Sequence, residues 1–258
     1  MKDTSIKITF LGTGTSSGVP MIGCDCAICT SKDPKDNRLR SSILVNTPGF
    51  TFVIDTTPDF RFQMLRTKTK RLDAVIFTHA HKDHIVGLDD VRAFNYLMQK
   101  PMNVYASART NEALKKDFYY AFGENKYPGV PELILHTIDE TPFTIGNTLL
   151  DPIKVWHHKM EVYGFRFNDF TYITDANKID EDQKKKIIGS KVLVLNALRR
   201  EPHISHFTLN EAIQLAEELQ IPEVYFTHIS HQLGLHQDVE AEIPDHIHLA
   251  YDGLEINL

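Results

Sequence analysis

Short apolar or alternating runs of strand length recur from one end of this chain to the other. "IKITFLG" (6–12), "SSILVN" (41–46), "FTFVID" (50–55), "LDAVIFTH" (72–79) and "MNVYA" (102–106) read as strands. So do "LLDPIKVW" (149–156), "VYGFRF" (162–167), "FTYITD" (170–175), "KVLVLNA" (191–197) and "EVYFTH" (223–228). Helical patterns interrupt them over 85–99, 109–121 and 208–220. The last carries Thr208 at the N-cap position and Glu211 three residues on, the spacing of a capping box. Many strands among a few helices imply a layered sheet protein with helices outside. No repeat, low-complexity segment or Pro/Gly/Ser linker divides the chain, so residues 1–258 are expected to form a single domain.

Composition narrows the class without changing that picture. Of 258 residues, 42% are hydrophobic and 24% charged, as in ordinary globular proteins. The formal net charge of −6 disfavours a general affinity for nucleic-acid backbone. "MKDTSIKITF" lacks a basic segment leading into an apolar one, and no run approaches membrane-spanning length, so a cytoplasmic location without a membrane partner is expected. The basic stretch Arg66, Lys68, Lys70 and Arg71 reads as a solvated helix end and turn, with contact to an anionic ligand as the lesser alternative. The three cysteines, Cys24, Cys26 and Cys29, fall within "GCDCAIC" (23–29). Their close spacing and odd number fit metal binding in a reducing compartment better than a disulfide framework.

The densest chemistry lies in "THAHKDHIVGLDD" (78–90), directly after an apolar run. Alternation along an extended backbone places His79 and His81 on one side, and the turn that follows brings round Asp83 and His84. Imidazole and carboxylate together suit Zn, Mn or Fe.

"THAHKDH" matches the HxHxDH signature of the metallo-β-lactamase superfamily, which the chain resembles over nearly its whole length. The resemblance implies an αββα sandwich, two mixed β-sheets flanked by helices. It implies a second ligand segment in "WHHKMEVYGFRF" (156–167), where His157 and His158 compete and His157 is favoured. A metal-bridging Asp175 in "TYITDAN" and a final ligand His228 in "VYFTHISH" complete the set. One ion would then be held by His79, His81 and His157, and the other by Asp83, His84 and His228, with Asp175 between them. Two such divalent ions, Zn or Mn, would acidify a shared water for attack on a phosphoryl group. Asp55, closing "FVID", matches a position that orients ligand histidines; it reads equally well as a strand-end turn carboxylate.

Three features resemble the phosphodiesterase branch of that superfamily. One is the turn "FLGTGTSSGVP" (10–20). Another is "PHISHFTLNEA" (202–212), which would supply His206 as a general acid or phosphate contact with His203 beside it. The third is "GCDCAIC", similar to the phosphodiesterase of bacterial phosphonate breakdown that acts on phosphoribosyl 1,2-cyclic phosphate. There, the resemblance implies, a fourth ligand at His231 completes a structural zinc and makes residues 23–31 a closed clip. Asn196 stands where several members carry Asp. The expectation is a dinuclear phosphodiesterase for a small, cyclic phosphodiester, with Asp83, Asp175 and His206 catalytic. Same-fold alternatives are a lactonase, a thioesterase or an RNA 3′-processing nuclease. A metal-dependent binding protein without turnover is the alternative of another class, and a homodimer is left open.

Overall fold

A computed structural model describes residues 6–123 and 126–258. Residues 1–5, on which part of the N-terminal reading rests, lie outside the described residues. The first half supplies β1 (Lys7–Gly12), β2 (Ser42–Thr47), β3 (Phe50–Ile54), β4 (Ala74–Ile76), β5 (Met102–Ser107) and β6 (Leu133–Ile138). The second supplies β7 (Phe143–Ile145), β8 (Thr148–His157), β9 (Met160–Phe167), β10 (Phe170–Tyr172), β11 (Val192–Asn196), β12 (Glu223–Thr227) and β13 (Ile247–Leu249). The last strand, β14 (Glu255–Asn257), returns to the first sheet, giving the orders β14-β1-β2-β3-β4-β5-β6 and β13-β12-β11-β10-β9-β8-β7.

Side-chain alternation explains why these sheets face each other. In β1, Ile8 and Phe10 turn inward while Lys7, Thr9 and Leu11 turn out, and the antiparallel register opposes Ile8 to Val45 and Phe10 to Ile43. The inward rows meet Phe165, Phe167, Tyr172 and Val194 of the other sheet in one apolar layer. There the Phe52 and Phe167 rings pack edge-on at 5.8 Å. Each such fully buried aromatic side chain contributes about 1.5–3 kcal/mol.

The outer faces are covered by helices. Leu11, Leu44, Val53 and Val75 pack under α1 (Phe60–Arg66), α2 (Lys82–Ile85), α3 (Arg92–Met98), α4 (Ala108–Asp117) and α5 (Tyr119–Phe122). Leu193, Leu195, Val224 and Phe226 are covered by α6 (Glu181–Ile187), α7 (Leu209–Glu218) and α8 (His236–Glu240). The αββα sandwich is thus the architecture of the chain, and the capping box at Thr208–Glu211 is formed on both sides. Among the described residues, no helix is long and apolar enough to cross a membrane.

Several elements depart from the sequence expectation. The helix expected over 85–99 is three short pieces, α2, a 3-10 segment over Val86–Val91, and α3. Gly87 sets that segment's position: a Cβ there would lie 2.1 Å from the Thr57 carbonyl oxygen and 2.6 Å from Phe60 Cβ. The expected helix 109–121 breaks at Phe118, between α4 and α5. The strand expected over 170–175 stops at Tyr172, because the chain turns to a left-handed conformation at Asp175 (φ 54°). Strands β6, β7, β13 and β14 and helices α6 and α8 lie outside the sequence expectation, whereas α1 ends at Arg66, where the basic stretch reads as a helix end. Three of those strands are only three residues long, too short to show alternation, and β6 is a half-exposed edge.

The topology brings the chemistry-bearing loops to one rim. Strands β3 and β4 are parallel, as are β10, β11 and β12, and the loops leaving their carboxyl ends carry Asp55, His79–His84, Asp175 and His228. That is the end of a parallel array at which sites are ordinarily built. Replacing Gly87 by Ala should cost about 1–3 kcal/mol through overpacking against Thr57, read as a lowered urea midpoint, and should lower metal retention by displacing the adjoining His81–His84 turn.

Candidate metal centre

Two clusters of ligand atoms meet at this rim. In one, ring nitrogens of His79, His81 and His157 and a carboxylate oxygen of Asp175 all lie within 4.8 Å of one another. In the other, His84, Asp175 and His228 do so. Asp175 belongs to both: its Oδ2 is 3.7 Å from His79 Nε2 and 3.4 Å from His84 Nε2, and its Oδ1 is 3.0 Å from His228 Nδ1. Asp83 sits at the edge of the second, with Oδ2 3.3 Å from His84 Nε2. Of the two competing histidines, His157 is buried in the first cluster, whereas His158 is exposed on the β8–β9 turn at φ 57°.

The residues behind the ligands fix which nitrogen each presents. Asp55 is fully buried; its Oδ2 accepts from His84 Nδ1 at 2.7 Å and from Thr78 Oγ1 at 2.8 Å, and its Oδ1 accepts from Thr78 N at 2.9 Å. Because the Thr78 hydroxyl donates to Asp55, it accepts from His79 Nδ1, 2.9 Å away. His157 Nδ1 donates to the Ser205 carbonyl at 2.9 Å. Each of these rings therefore turns Nε2 into the centre. His79 Nε2, His84 Nε2 and His228 Nδ1 are buried without hydrogen-bond partners. Such orphaned ring nitrogens are costly unless a ligand takes them up, and their convergence on a carboxylate suits divalent cations.

The electrostatics point the same way. Burial alone pushes His84 toward its neutral form, yet Asp175, Asp55 and Asp83 together raise its pKa well above the ordinary value. Burial raises Asp175 and Asp83, but His228 and His84 for the one, and His84 for the other, outweigh it and hold both well down. Burial, then repulsion from His84, holds His79 well below its usual range. Three carboxylates in a dry pocket demand positive charge, and a proton on His84 is a partial substitute for it.

Backbone conformation marks the same positions. Asp55 (φ 66°), Asp175 (φ 54°) and His228 (φ 57°) are all left-handed non-glycine residues at strand ends. That conformation is uncommon for residues with a Cβ and gathers at functional sites. It aims these side chains back over the rim.

His206 lies between the clusters. Its ring centroid is 4.7 Å from that of His157 and 4.8 Å from that of His228, nearly parallel to the latter at 22°. It is buried with Nδ1 unpartnered, and burial followed by repulsion from His228 lowers its pKa to about 3. His203 is 5.0 Å further out, its Nδ1 engaged with Ser205.

The cysteine segment forms a separate cluster. Cys24, Cys26, Cys29 and His231 bring their sulfurs and a ring nitrogen within 4.8 Å of one another. His231 Nδ1 is 3.4 Å from Cys24 Sγ and 3.3 Å from Cys26 Sγ. Met21 N and Cys29 N donate to the Cys29 and Cys26 sulfurs. His231 above all lowers the Cys26 pKa to about 6, whereas burial pushes Cys29 up to about 11. Three thiols and one imidazole fit a closed tetrahedral zinc site with no position left for a reactant.

Supporting residues without a sequence signal also emerge. Thr15 Oγ1 of the glycine-rich turn lies 3.2 Å from His228 Nε2. Asn196 accepts from Ala176 N at 2.8 Å and donates to the Ala176 carbonyl at 2.9 Å, clamping the residue after Asp175. An ionised Asp there could only accept, so Asn is what makes the clamp two-sided.

A sandwich of two mixed sheets with histidine and aspartate clusters at one rim defines the metallo-β-lactamase fold. The beta-lactamase superfamily domain matches residues 51–229, and the chain belongs to that superfamily. A diphosphatase of the PhnP family, known from a crystal structure, is 40% identical with a TM-score of 0.93, covering 98% of this chain and 97% of that one. An octanoyltransferase of Porphyromonas gingivalis is 36% identical over 253 residues. Those residues are 97% of this chain, which spans about half (51%) of that curated relative. Zinc-bound PqqB from Methylobacterium extorquens shares the fold at 20% identity and a TM-score of 0.79, over 98% of this chain and all of the other.

Replacing Asp55 by Asn leaves one acceptor oxygen where the Thr78 amide, the Thr78 hydroxyl and His84 Nδ1 now donate to two, and should weaken metal affinity about 10–100-fold, measured by competition with a chromogenic chelator. Elemental analysis of Cys24→Ser should show one zinc fewer per chain than the parent, with the histidine-held metal retained.

Proposed function

We propose that this chain is a metal-dependent hydrolase of phosphoric esters, acting on a small phosphodiester, with a cyclic one such as phosphoribosyl 1,2-cyclic phosphate preferred. The observation that carries it is His206, a non-ligand histidine buried between the two clusters with a free ring nitrogen. A phosphoryl group spanning the clusters would meet His206 on its flank, where an acyl group offers fewer oxygens to contact.

The two cations, when bound, would supply an acidified water and neutralise phosphoryl charge. The rest is the work of the chain. His79, His81 and His157 would hold one ion, and Asp83, His84 and His228 the other, with Asp175 reaching both. Asp55, Thr78 and the Ser205 carbonyl keep the ligand rings in one tautomer, so the site needs no rearrangement on loading. His206 is neutral in the free protein, given its pKa of about 3. A phosphate anion beside it favours the protonated ring, which places a proton next to the departing oxygen only when substrate is present. His203 flanks the same face as a substrate contact. The Cys24, Cys26, Cys29 and His231 zinc has a structural part, holding the N-terminal loop against the His228 segment.

The PhnP-family diphosphatase, at 40% identity over nearly the full chain, favours a second reading within the same chemistry, hydrolysis of a small diphosphate. RNA is a poor fit to a net charge of −6 and to the tight β9–β10 turn at 168–169. Metal-loaded protein should turn over a chromogenic phosphodiester, and Asp175→Ala should reduce kcat by at least three orders of magnitude while leaving the circular dichroism spectrum unchanged. A panel of cyclic phosphodiesters, linear phosphodiesters, diphosphates and lactones separates the readings. Turnover of lactones alone would overturn the phosphoryl assignment.

A further inference from the structure

A second place on the molecule gathers charge of the opposite sign. A groove of about 750 Å³ is lined by Lys7, Arg66, Lys68, Lys70 and Arg71, with Glu255 as its one carboxylate. Five cations against one anion give +4, in a chain whose total is −6. The groove exists because α1 covers only part of the outer face of the first sheet. Leu11 and Val53 are buried beneath the helices and Leu44 reaches the groove, whereas the next row in register, Lys7–Asn46–Thr51, is polar and lines it. The segment 66–71 leaves α1 and forms the wall.

Not all of this charge is compensated. Arg66 pairs with Asp252, Arg71 with Asp73 and Lys7 with Glu255. Lys68 and Lys70 are exposed and have no carboxylate oxygen within 4.0 Å among the described residues. Lys68 also occupies a left-handed conformation (φ 54°) at the C-terminal cap of α1, where its N–H bonds the Leu65 carbonyl. Glycine or asparagine is the ordinary residue there, and a side chain with a Cβ costs about 1 kcal/mol. Ion pairs account for Lys7, Arg66 and Arg71 and attraction to the helix dipole for one cation near that end, which leaves a second lysine on the same groove without a compensating charge.

We infer that this groove binds a small, multiply charged phosphate-bearing anion, apart from the metal centre. Its volume falls within the range of small-molecule sites, about 300–1,000 Å³, and threonine and asparagine side chains on its floor and wall suit phosphate oxygens. It cannot be an extension of the catalytic rim. Thr51 and Asp55 stand at opposite ends of β3, about 13 Å apart at 3.3 Å per residue, and the groove opens on the outer sheet face. This inference goes beyond the proposed hydrolysis and stands or falls independently of it.

Titration calorimetry of the metal-loaded protein with inorganic triphosphate tests it. Besides binding at the metal centre, one further site per chain is expected, weakened at least tenfold in the double variant Lys68→Ala/Lys70→Ala, weakened as NaCl rises from about 50 to 200 mM, and retained in Asp175→Ala with its affinity unchanged. Triphosphate should protect Lys68 and Lys70 from acetylation. The double variant should hydrolyse a chromogenic phosphodiester at the parental rate. No further site in the parent protein, equal binding at it by the double variant, its loss in Asp175→Ala, or binding of RNA with none of triphosphate would each overturn the assignment.

Discussion

The buried carboxylate of Asp55 is the constraint on which the rest of the rim depends. An isolated ionised carboxylate at zero exposure is prohibitively costly, and burial does raise its pKa, with His84 opposing the shift. It is tolerated because three donors converge on it, the Thr78 amide, the Thr78 hydroxyl and His84 Nδ1. Those same bonds determine the ligand geometry. Through the Thr78 hydroxyl the carboxylate sets the tautomer of His79, and directly it sets that of His84, so it faces one histidine from each cluster. Its own amide donates to the Ile76 carbonyl, which ties the β3–β4 register to the orientation of the metal ligands.

The second sheet contributes by a different device. Asp175 and His228 are held at strand ends in left-handed conformations, and such strain persists only where the surroundings over-determine it. Asn196 clamps Ala176 on both sides of its peptide. For His228, Ile229 pairs with Thr13 and Thr15 of the glycine-rich turn, and Thr15 Oγ1 reaches the His228 ring. The cysteine clip acts on this same junction. His231 joins Cys24 and Cys26 three residues beyond His228, and the buried Arg38 links Thr13, the Ala250 carbonyl and His236. A metal in the clip would therefore stiffen the loop that carries Thr15 without touching the reacting groups, a separation of support from chemistry that the spacing of the cysteines alone does not show.

What the sequence made legible follows from the range over which each signal acts. Alternation in "IKITFLG" and "FTFVID" is local, so those strands and their inward faces could be read directly. Thr208 and Glu211 cap a helix through contacts three residues apart, and that box is formed. The HxHxDH loop is compact enough to be seen whole. By contrast, the pairing of Asp55 with Thr78 and His84 spans more than twenty residues, and its function depends on two parallel strands being adjacent. Asn196 was visible as a departure but unreadable until Ala176 stood opposite it. Helix 85–99 was overextended because the pattern did not register the contact of Gly87 with Thr57, which bends the chain away from α-helical geometry.

The distribution of charge shows how a chain with a negative total could act on anions, as proposed. Asp55, Asp83 and Asp175 concentrate three carboxylates in a low-dielectric pocket, where fields are strong and poorly screened. Within the pocket, Asp175, Asp55 and Asp83 raise the pKa of His84 against its burial, so a proton there partly offsets their charge. Two divalent ions, as proposed, would add four positive charges and reverse the local sign. On the proposed reading, attraction for an anionic substrate at this rim would come from the ions and act over the few ångströms around them. A site of that kind would favour small anions that reach into the rim over long polyanions, which would meet a chain of negative total charge first. His206, whose pKa is lowered by burial and by His228, would add no charge of its own to that balance until an anion arrived beside it, so on the proposed reading the metals would set the affinity for phosphate and the substrate would bring the proton.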